Sequence, residues 1–253
     1  MKLAIAGKGG VGKTTIAGTL VRIFSEDRRV IAVDSDPSMN LHTSIGIDNP
    51  PPISKLKGLI AERTVIGGGL YNLNPKVDDI LDRYSSRRDN IRLIVMGTVD
   101  EGGEGCMCPE NTFLRALLRH LVLKRREILV LDTEAGVEHL GRKTAEGFDM
   151  MLVVCEPSSK AIETANRIYE LAGEIGIKKV YAVGNKISSN EQQEFIQDNL
   201  NFKPIASIPL DEEVVKADMI GVPLADQKDA KSYRAIKSLA EKIERVEGVS
   251  RGL

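Results

Sequence analysis

Apolar residues come in short runs along this chain, each closed by polar or glycine-rich residues. The runs lie at Lys2 to Ala6, Arg29 to Val33, Ile91 to Gly97, Glu127 to Leu131, Asp149 to Cys155, Lys179 to Val183 and Lys203 to Ile208. Runs of this length without alternation predict strands buried on both faces of a parallel sheet. Between them the spacing becomes helical. Ile16, Leu20, Ile23 and Phe24 share one face of a helix over Thr15 to Phe24. Leu114, Leu117, Leu118 and Leu121 do the same after Pro109, a residue suited to a first helical position. Glu156-Pro157-Ser158 opens a helix reaching about Gly173, and Tyr233, Ile236, Leu239, Ile243 and Val246 mark a long helix that should dock on the sheet. The alternation predicts an α/β fold, a mostly parallel β-sheet with helices on both faces. No linker or repeat divides it, so residues 1–253 are read as one domain. Asn40 to about Asn90 is the least legible stretch. Pro50-Pro51-Pro52 and Gly67-Gly68-Gly69 punctuate it, and short helices over one sheet edge are expected there, with no chemistry assigned.

The first run leads directly into Gly7-Lys8-Gly9-Gly10-Val11-Gly12-Lys13-Thr14, which fits GxxxxGK followed by Ser or Thr. Such a loop turns backbone N–H groups onto phosphate oxygens, and the positive end of the next helix adds to them. Lys13 would reach the β- and γ-phosphates, and the Thr14 hydroxyl would ligate Mg²⁺. Gly7, Gly9 and Gly12 also spell GxGxxG, with Asp34 about 20 residues further on, where a dinucleotide-binding protein carries its ribose acid. That reading has no use for Lys13 and Thr14. The order of strand, loop and helix therefore favours the phosphate loop.

Acids close two of the later runs. Asp34-Ser35-Asp36-Pro37 follows the second, where a carboxylate can orient an attacking water or assist Mg²⁺. The plainer reading is a strand-end turn. Asp132 ends the fourth run, as a second Mg²⁺ contact would, and Gly136 gives the loop after it freedom to sense a γ-phosphate. Asn185-Lys186 follows the strand at Lys179 to Val183, in the place where many phosphate-loop proteins read the base. Guanine readers carry Asp two residues after that lysine; Ser188 stands here, which favours adenine. Cys106 and Cys108 sit one residue apart in a glycine-rich loop, with Cys108 near a helix start that lowers a thiol pKa. Two thiolates so placed can share a soft or borderline metal. Two partly buried thiols or a redox pair fit the spacing as well. Cys155, inside an apolar run, is read as packing.

Composition narrows the function class. The chain has 253 residues, with 35 Lys and Arg against 36 Asp and Glu, a formal net charge of −1. That balance argues against non-specific nucleic-acid binding, and the lack of Trp removes the usual stacking platforms. No apolar run reaches the roughly 18 residues that cross a bilayer, and the first residues form a core strand rather than a signal peptide. A cytoplasmic protein is expected, and three cysteines suit a reducing compartment.

With the extra lysine at Lys8, the phosphate loop resembles the deviant Walker A loop of the MinD, ParA, ArsA and nitrogenase iron protein superfamily of P-loop NTPases. The resemblance spans nearly the whole chain. It implies an ATPase using ATP/ADP and Mg²⁺ in which two subunits close face to face on the nucleotide. Lys8, Lys13 and Asp36 would be catalytic: Lys8 would touch the nucleotide of the opposite subunit, and Asp36 would orient the attacking water. Asp132 matches the Walker B acid. Gly9, Gly10, Val11, Gly12, Lys13, Thr14 and Thr15 would hold phosphate, and Asn185, Lys186 and Pro209 the adenine. Within the superfamily, Gly105-Cys106-Met107-Cys108-Pro109 and the stretch from Asp132 to Gly141 are most similar to the CooC family, ATPases that help insert nickel into carbon monoxide dehydrogenase. That likeness implies Ni²⁺, with Zn²⁺ possible, at Cys106 and Cys108. It also implies a homodimer formed on ATP or metal, a client metalloenzyme such as carbon monoxide dehydrogenase, no nucleic-acid partner and no membrane anchor. One cysteine pair supplies two thiolates where such sites take about four ligands, so one metal shared across a two-fold axis is expected. The alternative is a partner-positioning switch of ParA or MinD type without metal; a dinucleotide-dependent oxidoreductase is a distant third.

Overall fold

Lys2–Ala6 (β1) is buried at every position, a demand that only flanking strands and covered faces can meet. The computed structural model describes residues 1–67, 70–98, 109–134 and 142–248. After β1 come Lys13–Phe24 (α1), Val30–Ser35 (β2), Leu41–Ile45 (α2) and Lys57–Thr64 (α3). Val65–Gly67 (β3) and Leu70–Tyr71 (β4) pair as a separate antiparallel hairpin, followed by Ile80–Tyr84 (α4), Ser86–Arg88 (β5) and Ile91–Val95 (β6). Pro109–Lys124 (α5), Ile128–Thr133 (β7), Arg142–Ala145 (α6), Met150–Cys155 (β8) and Ser159–Glu174 (α7) follow. Val180–Ile187 (β9), Asn190–Asn199 (α8), Pro204–Pro209 (β10), Glu212–Met219 (α9) and Lys231–Glu247 (α10) complete the order.

The main sheet has eight strands in the order β10-β9-β8-β1-β7-β2-β6-β5. All neighbours are parallel except β5 on β6, so the sheet is mixed but mostly parallel. β1 lies between β7 and β8, with Leu3 opposite Val130 on one side and Met150 on the other. The chain leaves β1 towards β2 in one direction, and from β6 through β10 it steps back in the other. Right-handed crossovers therefore put α1 on one face and the helices between the later strands on the opposite face. At the carboxyl ends of β1 and β8 the connections depart to opposite faces, which opens the crevice where α/β sheets hold ligands.

Local sequence accounts for most ends. Ser158 caps α7 and Ser189 caps α8, each accepting a backbone N–H three residues on through its hydroxyl. Asp211 caps α9 and also accepts the N–H of Ser232 at 2.9 Å, tying α9 to α10. On α10, Tyr233, Ile236, Leu239, Ala240 and Ile243 are buried and the helix packs on α1 and β10. Val246, expected on that stripe, is exposed. It falls beyond the last turn that faces the sheet.

The stretch from 40 to 90 holds more than the expected short helices. Its strands β3, β4 and β5 carry too little apolar pattern to be read, and β5 (Ser-Arg-Arg) is a polar edge strand of the kind that discourages further pairing. Helices α8 and α9 are also additions to the expected set. No helix among the described residues is long and apolar enough to cross a membrane.

Candidate nucleotide site

Gly7 turns the chain out of β1 with φ 145°, and a Cβ there would collide with the Val154 carbonyl oxygen of β8. Gly12 has φ 96° and lies equally close to the Asn185 amide, so each position accepts only glycine. Between them Val11 is fully buried and anchors the loop, while Gly9 and Gly10 are exposed. α1 begins at Lys13, two residues before the expected start at Thr15, with Gly12 as its cap.

Lys13 is almost wholly buried. Its ammonium donates to the Lys8 carbonyl at 3.3 Å and lies 4.0 Å from the Asp36 carboxylate. Asp36 in turn accepts the Ser38 N–H at 2.9 Å and the Ser38 hydroxyl. The loop lysine thus stands between the phosphate loop and the turn after β2. Lys8 is half-buried and Thr15 sits in the first turn of α1, its carbonyl taken by the Thr19 hydroxyl.

Asp132, at the end of β7, is fully buried, and its Oδ2 accepts the Thr14 hydroxyl at 2.6 Å. Its Oδ1 is buried with no hydrogen-bond partner among the described residues. Desolvation raises its pKa to about 7, with Asp34 adding like charge and the Thr14 hydrogen bond opposing both. An orphaned carboxylate oxygen beside a threonine hydroxyl is costly without a cation. The pair therefore fits a hard divalent ion such as Mg²⁺, which takes one or two protein oxygens and fills its shell with phosphate and water.

Asp34 is a different case. It is fully buried between β6 and β7, in register with Asp132, and its oxygens accept the N–H groups of Asp36 at 3.1 Å and Leu41 at 3.0 Å. Burial pushes its pKa to about 6. It holds the turn that carries Asp36 and cannot reach a ribose, which removes the structural basis of the dinucleotide reading.

Asn185 and Lys186 close the site from β9. The Asn185 amide donates to the Val11 carbonyl at 2.7 Å, and the Lys186 ammonium donates to the Gly10 carbonyl at 2.7 Å. Lys186 adopts φ 59° to do so and also meets Glu156 at 3.1 Å. Both expected base contacts thus grip the phosphate loop itself. Pro209 stands opposite Ile187 in the β9–β10 register, at the same end of the sheet. Glu156 was missed by sequence reasoning; its one signal was its place directly after an apolar run.

Cys106 and Cys108 lie outside the described residues, as do Gly136 and its neighbours to Gly141. Cys155 is buried in β8 with its thiol pushed up to about 12, consistent with packing. Among the described residues no group of three His, Cys, Asp or Glu could hold a metal ion.

A glycine loop capping α1, a buried lysine and a threonine–aspartate pair at a sheet switch point define a P-loop nucleotide-binding protein. Residues 2–224 match the CobQ/CobB/MinD/ParA nucleotide binding domain, and the chain belongs to that family of ATPases, which use ATP and Mg²⁺. It is 45% identical over 246 residues to an uncharacterized ATP-binding protein of Methanocaldococcus jannaschii, covering 93% of this chain and 96% of that one. It is 41% identical over 263 residues to the carbon monoxide dehydrogenase accessory protein CooC of Rhodospirillum rubrum, covering 99% and 100%. Among solved structures, the septum site-determining protein MinD of Pyrococcus horikoshii with Mg-ADP superposes with a TM-score of 0.71 at 21% identity, covering 100% and 99%. That last likeness speaks for the fold.

Proposed function

We propose that the protein is an ATP-driven molecular switch of the MinD and ParA type, closing as a homodimer on ATP and opening after hydrolysis. The observation that carries this reading is Lys13, held between the Lys8 carbonyl and Asp36. A cation in that position can exchange its Asp36 partner for a γ-phosphate. Asp36 is thereby freed to orient an attacking water. Thr14 and Asp132 would hold Mg²⁺, which when bound neutralises charge on the phosphate oxygens. Gly9, Gly10, Val11, Gly12 and Thr15 would meet phosphate. Asn185, Lys186 and Pro209 would border the adenine while the first two fix the loop. Lys8, its carbonyl engaged and its ammonium without an anionic partner among the described residues, is assigned to the nucleotide of the opposing subunit. The test pairs ATP turnover with solution mass. Asp36→Ala should bind ATP, accumulate as dimer and lose turnover; an Asp36→Ala protein that hydrolyses normally removes the residue from the mechanism.

A second, narrower reading has one specific support, the 41% identity to CooC across nearly the whole chain. On it, the switch serves nickel delivery to a metalloenzyme such as carbon monoxide dehydrogenase, with Cys106 and Cys108 of two subunits sharing one Ni²⁺ or Zn²⁺. Family and fold back the general switch more broadly than this specialisation. Metal stoichiometry measured with solution mass decides it: one metal per dimer, lost in Cys106→Ser, supports the shared site. Metal held one per monomer refutes the shared site, and no bound metal leaves the switch without a metal cargo.

A further inference from the structure

Of the large apolar side chains exposed among the described residues, five lie together, while the others fall on α5, on α10 and around α9. Val65, Ile66, Leu70, Tyr71 and Leu73 are between 44 and 68% exposed, and they all belong to the β3–β4 hairpin and the residue group that leaves it. The hairpin pairs with no strand of the main sheet. A two-stranded ribbon gains little stability from itself, and contiguous apolar exposure marks an interaction site.

Its base is firmly held. The Asn72 N–H donates to the Thr64 carbonyl at 2.7 Å, and Arg63 donates to the Lys76 carbonyl at 2.8 Å. Both guanidinium nitrogens of Arg63 also meet Asp79, at 2.5 and 2.8 Å, and Arg83 shares that carboxylate at 3.1 Å. On the other flank, α5 packs against α3 and sends Arg119 to the Asn74 side-chain oxygen at 2.6 Å. Arg115 lies one turn earlier on the same helix face. Like charges at this spacing oppose each other. Among the described residues neither of them, nor Lys76, has a carboxylate within ion-pair distance.

We infer that the β3–β4 hairpin with Lys76, Arg115 and Arg119 is a docking surface for a partner protein that presents apolar side chains flanked by carboxylates. An apolar centre with an arginine rim is the composition of a protein interface. The charge complement asked of the partner is acidic. Nucleic acid has no use for the apolar centre, which holds a single aromatic ring, Tyr71. A second copy in an isologous contact would bring the unpaired arginines against each other. The inference is independent of the metal reading.

The test uses the full chain and a fluorescent peptide alternating leucine and glutamate, read by anisotropy. Its lysine-for-glutamate counterpart, a duplex DNA and phosphatidylglycerol vesicles serve as the other arms. The wild type should bind the acidic peptide, and Ile66→Asp and Arg119→Glu should each weaken it at least about tenfold. Thermal midpoint and ATP turnover should stay unchanged, and Arg115→Glu replaces Arg119→Glu if that variant folds poorly. No binding by the wild type, or equal binding by the variants, overturns the inference. So does tighter binding of DNA or vesicles that the same substitutions abolish, or a self-association lost in Ile66→Asp.

Discussion

Burial decides what the acids of this site do. Asp34 keeps its proton up to about pH 6 in the folded chain but releases it near 3.8, the ordinary value, when unfolded. Between those values the native state binds more protons, so stability falls as pH rises and levels off above about 6. At about 1.36 kcal/mol per unit, Asp34 alone costs up to about 3 kcal/mol. Asp132, held up to about 7, adds its own loss over the same range and carries the fall one unit further. Without Mg²⁺, the thermal midpoint is therefore expected to drop from pH 4 to pH 7. Asp132→Asn should flatten the upper part of that drop and also end the Mg²⁺ dependence of nucleotide binding. A midpoint that rises over this range would contradict the assigned protonation. The glycines make a second expectation at this scale. Gly7→Ala must displace β8 backbone, and a loss of about 2 kcal/mol or more is expected in denaturant titration. Gly9→Ala meets nothing within 4 Å and should leave the same titration unchanged.

At the scale of elements, the phosphate loop was legible because its signal is contiguous: strand, glycines, lysine, helix. The contacts within the site that escaped reading are joined across the fold. Asn185 reaches Val11 over a separation of 174 residues, and no local pattern announces that contact. β2 extends to Ser35, past its apolar run, because Asp34 takes an interior place with backbone N–H groups as partners. Polarity was read there as a strand end. The stretch from 40 to 90 resisted for another reason: arginine–carboxylate pairs such as Arg63 with Asp79 hold much of it, and they leave no periodicity. The β9 contacts carry their own expectation. Glu156→Gln removes the charge that steers Lys186 and should weaken ATP binding modestly, about three- to tenfold, through a looser loop. Asn185→Ala should weaken it more, since it strips the Val11 carbonyl of its partner. Calorimetric titration of ATP orders the two, and the opposite order would place Glu156 nearer the nucleotide than proposed.

For the molecule as a whole, the proposal needs two copies. Lys8→Ala should leave ATP binding to the monomer nearly intact while suppressing ATP-dependent dimer and turnover by about a hundredfold or more. Turnover per subunit that does not depend on protein concentration in the dilute range would argue that hydrolysis is complete within one chain.

The place of β1 in the sheet has a consequence for how the protein is made. β1 leaves the ribosome well before the two strands that flank it, β7 and β8, which arrive only at Ile128 and Met150. Until then its buried backbone has no parallel partner, and Gly7 has no Val154 carbonyl to turn against. Such non-local pairing is slow and leaves apolar strands open to chaperones and proteases. Nascent chains arrested before Ile128 should therefore be cut readily and should ignore ATP. Protection of β1 should arrive once Cys155 has emerged, and full nucleotide capture only once Asn185, Lys186 and Pro209 have followed.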